Sequence, residues 1–566
     1  RDERCDQHDT RGHAKSSLGI FMQVFLSHPF LSVKQKAFPL CSKLAKQYRL
    51  DKIAFENAFL GRDRSMHVEK LPPVVTTLKP SNHPYLTGAW TPLHEEVNAI
   101  DLEVIEGAVP TDIDGIYLRN TENPVHEPIG RHHPFDGDGM IHQIVFSQGR
   151  TTYRNRFVRT RCFEAEQIAG GALWGGLADP PGVSTRPGFG AHGGIKDAGS
   201  TDVIVHAGKA LATFYQCGEA YLLDPETLEN EGVAPWVPID GISAHPKVDE
   251  ETGELMFFNY SKHPPYMHYG VVDADGKLVT YMPVPLPGPR LPHDMTFSRN
   301  WSILNDLPVF WDQELMRHRN LHVVRLHEGV PSRFALVPRH GTPDQIRWFE
   351  AAPTYVLHWL NAYEEGDEVV VDGYFQENPT PHPDKFAEHG KFAHMMAFLD
   401  GHSLGTKLHR WRFNLVDGTT REERLDDRTV EFGVINQKFA GRKYRYAYST
   451  VARPGWFLFE GFVKHDLETG ESVELKLEPG RYASEAPFAP RIGATDEDDG
   501  YLVSFVIDES RGTSECILID CKRFAEGPVC RIALPHKISS GTHSHWIDRK
   551  TLERDKARRR AAVLAA

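Results

Sequence analysis

Four histidines stand beside prolines or aromatic residues in strand-like segments, and imidazole is the side chain that proteins most often use to bind a metal ion. They are His245, His293, His358 and His543. Long stretches of chain separate them, so they do not form a local metal-binding pattern such as H-E-x-x-H. A metal site built from these four residues therefore requires a fold that brings distant segments of the chain together at one place.

The segments that carry these histidines predict such a fold. Between Thr76 and Asp548, short runs such as Leu255–Tyr260 and Glu368–Tyr374 are divided by glycine-containing turns, which is typical of β-strands and hairpins. Long helices do not alternate with these runs, so an all-β architecture is favoured over a parallel α/β sheet. A large β-propeller is the simplest choice, because radial repetition protects strand edges and brings one end of every blade to a common axis.

Residue patterns and composition divide the chain into three parts. Residues 1–75 include the helix-compatible segment Ser42–Leu60 and are interpreted as an appendage. Residues 76–548 are expected to form the propeller, with one helical window at Asp384–His402. Residues 549–566 are basic and rich in alanine, which predicts a helical C-terminal tail.

The composition excludes several classes of protein. Among 566 residues, 77 acidic against 64 basic side chains give a net charge of −13, which argues against a nucleic-acid partner. The 7 cysteines are scattered without a C-x-x-C pair, so neither a disulfide framework nor a thiolate zinc site is expected. No apolar run is long enough to cross a bilayer. Because the sequence shows neither a disulfide framework nor a convincing secretory signal, it predicts a cytoplasmic protein.

Taken singly, each of the 30 histidines is more simply an ordinary core or surface residue. Taken together, the four histidine contexts resemble, in the same order, the carotenoid cleavage oxygenase family, which also includes stilbene- and isoeugenol-cleaving members. The resemblance runs from Tyr85 to Trp546. The further motifs that carry it are Arg119-Asn-Thr-Glu-Asn-Pro124, Phe135-Asp-Gly-Asp-Gly-Met-Ile-His142, Ala244-His-Pro-Lys-Val-Asp249, Asn361-Ala-Tyr-Glu-Glu365, Gly480-Arg-Tyr-Ala-Ser-Glu485 and Asp498-Asp-Gly-Tyr-Leu502.

This resemblance implies a seven-bladed β-propeller with a helical cap over the face that bears the iron. It also implies that Fe(II) is the cofactor and that its ligands are His245, His293, His358 and His543. Four neutral imidazoles suit Fe(II) and leave positions open for O2. The implied activity is a dioxygenase that cleaves a conjugated C=C bond into two carbonyl products.

The family also uses glutamates to fix the second ring nitrogen of its ligands. Glu431 and Glu485 match two of these positions. The third position falls on Gln216, which departs from the family pattern, although its amide oxygen is still able to accept a hydrogen bond from an imidazole N–H.

Substrate choice depends on the pocket, since a polyene and a stilbene present the same double bond to the iron. The phenol-cleaving relatives typically carry a lysine where this chain has Tyr215, so we expect a carotenoid or apocarotenoid substrate. Tyr153 occupies a pocket position that does not discriminate between substrates. Two alternatives stay open: cleavage of a stilbenoid or phenylpropene, and an iron-bound propeller that binds or isomerises a lipid without oxygenating it.

An apolar substrate is best drawn from a membrane, which predicts peripheral contact with a lipid surface through an exposed apolar patch. Leu18–Phe30 and Leu307–Trp311 are the two candidate segments.

Overall fold

The computed structural model describes residues 65–180, 182–187, 195–319 and 323–565. The segments Leu18–Phe30 and Ser42–Leu60 lie outside these described residues. Within them strands predominate and the helices are few, so the all-β expectation is confirmed.

The strands are short and follow one another closely along the chain. The first ten are β1 (His67–Lys70), β2 (Val97–Ile100), β3 (Val104–Gly107), β4 (Gly115–Asn123), β5 (Asp138–Ser147), β6 (Arg150–Phe157), β7 (Asp202–His206), β8 (Lys209–Thr213), β9 (Tyr221–Leu223) and β10 (Asn230–Val233). The next fourteen are β11 (Lys247–Val248), β12 (Leu255–Tyr260), β13 (Met267–Val272), β14 (Leu278–Pro283), β15 (Thr296–Phe297), β16 (Trp301–Asp306), β17 (Val309–Trp311), β18 (Val324–Leu326), β19 (Ser332–Pro338), β20 (Arg347–Ala351), β21 (Val356–Glu365), β22 (Glu368–Gln376), β23 (Thr406–Asn414) and β24 (Thr420–Arg424). The last ten are β25 (Val430–Val434), β26 (Tyr446–Ala452), β27 (Phe459–Asp466), β28 (Glu471–Lys476), β29 (Arg481–Ala483), β30 (Phe488–Pro490), β31 (Gly500–Asp508), β32 (Thr513–Asp520), β33 (Pro528–Ala533) and β34 (Ser544–Asp548).

These strands form a series of antiparallel sheets in chain order. The four-stranded sheets are β10-β9-β8-β7, β11-β12-β13-β14, β15-β16-β19-β20 and β21-β22-β23-β24. A six-stranded sheet has the order β1-β2-β6-β5-β4-β34, and β17 and β18 form a small pair. A larger sheet runs β25-β26-β27-β29-β31-β32-β33-β3, with β28 on β27 and β30 on β31.

Strands from distant parts of the chain complete the six-stranded sheet and the larger sheet that begins at β25. The late strand β34 pairs with β4, placing His545 opposite Leu118. The early strand β3 pairs with β33, placing Val104 opposite Ile532. The two pairings join the beginning and the end of the strand series.

Much of the core lies between successive sheets. Phe334 of β19, for example, packs edge-on against Trp359 of β21 at 5.7 Å between ring centroids. Trp411 of β23 contacts the same phenyl ring, also at 5.7 Å. Large aromatic side chains thus pack these two neighbouring sheets against each other.

Helical segments are confined to the connections and the C-terminal end of the described chain. The α-helices are α1 (Arg161–Ala169), α2 (Gln313–Arg319), α3 (Ala393–Leu399), α4 (Gly401–Leu404) and α5 (Arg549–Ala565). The 3₁₀ segments are Pro84–Leu86, Gly88–Trp90, Pro134–Asp136, Pro343–Gln345, Pro383–Phe392, Gln437–Phe439 and Cys521–Glu526. The helical window predicted at Asp384–His402 is therefore present.

The basic C-terminal segment is helical, as predicted, but it is not merely solvated. Leu552 of α5 is fully buried in an apolar cluster with Ile116 and Ile547. Lys556 forms an ion pair with Glu226 in the connection between β9 and β10. Residues from Ser65 onward, including this helix, form one compact unit.

The sequence predicts that the chain has no membrane span and that Leu307–Trp311 forms an exposed apolar patch. In the described residues, no helix is both long and apolar enough to cross a bilayer. Leu307, Val309 and Trp311 are buried, so this segment does not supply the exposed apolar patch that its sequence suggested. Trp311 packs in an apolar cluster with Tyr260, and Leu307 packs in another with Ile303.

Candidate metal centre

The four candidate histidines come from four different sheets, and each lies at or beside a terminal strand of its sheet. His245 comes shortly before β11, and His293 shortly before β15. His358 lies within β21, and His543 directly precedes β34. Because each of these strands forms one edge of its sheet, side chains that are far apart in sequence converge at one place.

The four imidazoles form a cluster that we call the tetrad. The His245 ring centroid lies 4.4 Å from that of His543, 4.8 Å from that of His293 and 5.3 Å from that of His358. The His358 ring lies 4.6 Å from that of His543 and 5.2 Å from that of His293. The Nε2 atoms of His245 and His293 are 3.1 Å apart.

The backbone is strained where it delivers side chains to the tetrad. His245 itself has a φ of 62°, and Phe432, directly after Glu431, has a φ of 50°. Residues with side chains seldom occupy this left-handed region, and such strain concentrates at functional sites. The conformation of His245 is thus held by its surroundings.

Carboxylates contact three of the four rings. Glu431 Oε2 lies 2.6 Å from His358 Nδ1. Glu485 Oε1 lies 3.4 Å from His543 Nδ1, and the other oxygen of Glu485 accepts a hydrogen bond from the backbone N–H of Ser544. Asp202 Oδ2 lies 3.1 Å from His245 Nδ1.

Asp202 was not found from the sequence, because an acidic residue at the start of a strand has no distinguishing local pattern. It opens β7, the terminal strand of its sheet. Gln216, by contrast, is buried but makes no hydrogen bond to the tetrad in the structure. In the described part of the chain, His293 has no carboxylate partner.

The two tyrosines proposed for the pocket have different surroundings. Tyr215 lines a cavity next to the tetrad, and its ring centroid lies 5.9 Å from that of His293. Tyr153 is fully buried in the core between β2 and β5, where its hydroxyl contacts His142 Nδ1 at 2.7 Å and His536 Nε2 at 3.1 Å. It does not line that cavity.

Burial sets the charge state of the rings. Desolvation holds the pKa of His245, His293 and His358 well below the ordinary imidazole value, and neighbouring imidazoles lower it further. Burial opposes protonation of His543, but the carboxylates of Glu485, Asp202 and Asp294 together outweigh it and raise the pKa of His543. At least three rings are therefore neutral near pH 7, the form in which imidazole binds metals.

The arrangement fits a metal ion. The nitrogens of His245, His293 and His358 lie within 4.8 Å of one another, and ligand atoms of Asp202, His245 and His543 form a second such group. His358 Nε2 is buried and makes no hydrogen bond within the described chain. A buried polar atom without a partner is costly, and coordination of a cation would satisfy it.

Two cavities adjoin this centre. The larger has a volume of about 1320 Å³, and Leu357, Glu431, Tyr215 and Phe457 are among its lining residues. The smaller, about 300 Å³, is lined by His245, His358 and His543 together with polar side chains that include Lys247. The tetrad thus has a largely apolar cavity nearby and a smaller, more polar cavity in direct contact.

Sequence and structure comparisons place these features in a known family. The profile described as retinal pigment epithelial membrane protein matches residues 90–548. Carotenoid 9,10(9',10')-cleavage dioxygenase 1 of Pisum sativum is 31% identical over 513 residues, which cover 83% of this chain and 91% of that protein. Isoeugenol monooxygenase of Pseudomonas nitroreducens is 30% identical over 489 residues, which cover 83% of this chain and 98% of that protein.

A solved structure agrees with these relatives. The crystal structure of Pseudomonas brassicacearum lignostilbene dioxygenase aligns with a TM-score of 0.72 at 25% identity, covering 83% of this chain and 100% of that one. The profile match spans the strands that deliver all four members of the tetrad. The chain belongs to the carotenoid cleavage oxygenase family.

Proposed function

We propose that this protein is a non-haem Fe(II) dioxygenase that cleaves a conjugated C=C bond with O2 and releases two carbonyl products. The observation that carries the proposal is the convergence of four histidines from four sheets beside a large and mostly apolar cavity. Three of these histidines are buried and His293 is half-buried. Membership of the family supports the reaction class.

The ligands of the iron in this proposal are His245, His293, His358 and His543. Neutral imidazoles suit Fe(II), and four of them would leave room at the ion for other ligands. When bound, Fe(II) supplies the redox chemistry that activates O2. Glu431 and Glu485 accept hydrogen bonds from their histidines and so fix which ring nitrogen points at the centre.

The chain's own contribution to the reaction is to orient the substrate and to exclude water. Phe432 packs 4.7 Å from the His358 ring and 4.9 Å from the His543 ring. Phe457 and Phe459 continue this aromatic surface into the larger cavity. A rigid alkene held against these rings presents its target bond close to the tetrad, and positioning of this kind lowers the entropic cost of reaction.

We also interpret the series of sheets as a seven-bladed propeller. The six-stranded sheet and the four four-stranded sheets supply five blades. The large sheet supplies two, one from β25 to β28 and one from β29 to β33 with β3. The pairings of β34 with β4 and of β3 with β33 are the contacts that a closed ring requires.

A carotenoid or apocarotenoid is the substrate that the cavity favours. Its volume of about 1320 Å³ is larger than the range of about 300–1,000 Å³ usual for small-ligand pockets. Apolar and aromatic side chains such as Leu357, Phe135 and Trp456 contribute much of the wall. The Pisum sativum relative, named for cleavage of carotenoids, supports this choice.

A hydroxystilbene or phenylpropene is the second candidate, and one observation favours it. The Tyr215 hydroxyl is buried without a hydrogen-bond partner in the described chain, and a phenol oxygen would supply one. The lignostilbene and isoeugenol enzymes among the similar proteins make this candidate worth a direct comparison.

The test is an aerobic assay of the iron-loaded protein with one apocarotenal and one hydroxystilbene, with metal content measured on the same samples. We expect one iron per chain and aldehydes from the apocarotenal. The His358→Ala variant is expected to lose iron and activity together. A His358→Ala protein that kept both would overturn the iron assignment, and iron-loaded wild-type protein that cleaved neither substrate would overturn the activity.

A further inference from the structure

A group of histidines lies on the wall of the larger cavity, apart from the tetrad. His83, His132 and His133 all line this cavity. The rings of His83 and His132 meet edge-on at 5.0 Å between centroids. No part of the proposed oxygenation uses these three side chains.

His133 offers a free donor to the cavity. Its Nδ1 accepts a hydrogen bond from the backbone N–H of Phe135 at 3.3 Å. A neutral imidazole has one donor nitrogen and one acceptor nitrogen, so in His133 the proton is on Nε2. That N–H makes no hydrogen bond to any other part of the described chain.

The His133 ring is neutral near pH 7. Burial lowers the pKa of His133 to about 4, and the nearby His83 lowers it in the same direction. A neutral N–H donor suits an uncharged oxygen, such as that of an alcohol, an aldehyde or a phenol. It offers no full positive charge to a carboxylate or a phosphate.

A continuous series of aromatic contacts connects His133 with the tetrad. The His133 ring packs 5.1 Å from Phe135, and Phe135 packs 5.3 Å from Phe457. Phe457 then packs 5.9 Å from Phe432, which contacts the His358 ring. An extended apolar molecule lying along this wall would have one part close to the tetrad and one end near His133.

The cavity approaches solvent in this region. Glu127, Arg131 and Lys391 line it and are exposed at the surface. A polar end group placed here would remain close to water, whereas the apolar body of the same molecule would be buried among aromatic rings. The distribution of polar and apolar side chains therefore matches a long molecule with an oxygen at one end.

From these contacts we propose that the Nε2–H of His133 donates a hydrogen bond to an uncharged oxygen at the end of the substrate remote from the cleaved bond. The substrate class is thus an alkene with an alcohol, aldehyde or phenol terminus, in preference to the plain hydrocarbon. This inference rests on the proposed function, because it places the target bond at the tetrad.

The variant that tests the proposal is His133→Asn. Asparagine keeps a side-chain oxygen that accepts from the backbone N–H two residues ahead, as in an Asx-turn, but it is too short to present a donor at the position of Nε2. His382→Asn is the matched control, since His382 is exposed and does not line the cavity.

Binding is measured by quenching of tryptophan fluorescence in the iron-loaded protein without O2, so that no turnover occurs. The four probes are an apocarotenal, a hydrocarbon polyene of equal length, a hydroxystilbene and stilbene. Loss of one hydrogen bond to a neutral oxygen should weaken binding of the oxygenated probes about five- to tenfold. Binding of the two hydrocarbons should change less than about twofold.

The outcomes separate this subsite from the proposed function. Equal weakening of oxygenated and plain probes in His133→Asn would assign His133 a structural role only, and unchanged binding of all four would also overturn the subsite. In both cases cleavage by the wild-type protein would stand. If the wild-type protein bound none of the four probes, the subsite and the proposed function would fall together. If the variant bound only one of the two oxygenated probes more weakly, that probe would identify the class of alkene that the subsite accepts.

Discussion

The carboxylate of Glu431 and Nδ1 of His358 lie 2.6 Å apart, and the other nitrogen of the same ring is buried without a hydrogen-bond partner in the described chain. The contact with Glu431 fixes the tautomer of the ring. The absence of a hydrogen bond at Nε2 leaves that nitrogen available to bind a metal. One carboxylate thereby orients the proposed iron ligand His358, which lies within β21 and cannot move far without disturbing that strand.

This pairing predicts the behaviour of Glu431→Gln. The amide retains the shape of the side chain but loses the charge that orients the imidazole, so we expect iron affinity to fall about 10- to 100-fold. Competition with a chelator measures the change. Glu423→Gln, a substitution at an exposed position of β24, is the control and should bind iron like the wild type. Equal affinities for both variants would contradict a role for Glu431 in holding His358.

We expect Asp202 to orient the His245 ring as Glu431 orients the His358 ring. Because its carboxylate contacts His245 Nδ1 at 3.1 Å, Asp202→Asn should weaken iron binding about tenfold or more. Gln216→Glu restores the carboxylate that the family pattern places there, but Gln216 makes no hydrogen bond to the tetrad in the described chain, so we expect a smaller effect. Isothermal titration with Fe(II) compares the two. A large gain of affinity in Gln216→Glu together with an unchanged Asp202→Asn would reverse this assignment.

The contrast between Gln216 and Asp202 illustrates what the sequence was able to predict. Alternating strands indicated an all-β fold, because side-chain periodicity is a local property. The positions of the four histidines were expected from family resemblance, and the structure brings them together. The Asp202 contact depends on how β7 meets the segment before β11, and no local pattern encodes that meeting.

Two other differences between the sequence expectations and the structure also arise from tertiary packing. The segment Leu307–Trp311 reads as an apolar patch, but Leu307 and Trp311 pack in two separate apolar clusters and are buried. The C-terminal helix was expected from its composition, whereas the burial of Leu552 depends on sheets that lie far away in sequence. Tertiary packing decides which apolar residues face inward, and sequence periodicity alone does not.

Tyr215 should discriminate between the two substrate classes. Tyr215→Phe removes the buried hydroxyl but keeps the ring beside His293. We expect kcat/KM for an apocarotenal to change less than about twofold, and kcat/KM for a hydroxystilbene to fall about fivefold through loss of one hydrogen bond. Steady-state kinetics with both substrates measures this. A loss confined to the apocarotenal would indicate that the hydroxyl serves the polyene.

Acid should destabilise the protein through buried imidazoles. Burial lowers the pKa of His536 to about 4, so between about pH 6.5 and 4 the unfolded chain binds a proton that the folded chain does not. The stability that this group contributes is present above pH 6.5 and is lost as the pH falls. His536→Gln should reduce the acid loss by about 1–2 kcal/mol.

Urea unfolding of the metal-free protein at pH 7 and pH 5 measures this difference. A variant whose stability falls with pH as steeply as that of the wild type would show that His536 is not one of the responsible groups.

Mass spectrometry of both cleavage fragments after a brief reaction under labelled O2 tests the central claim most directly. A dioxygenase places one labelled oxygen in each of the two carbonyl products, so we predict label in both aldehydes from the apocarotenal, with brief sampling to limit exchange with water. Label in only one fragment from the earliest time point, or in neither, would contradict the account.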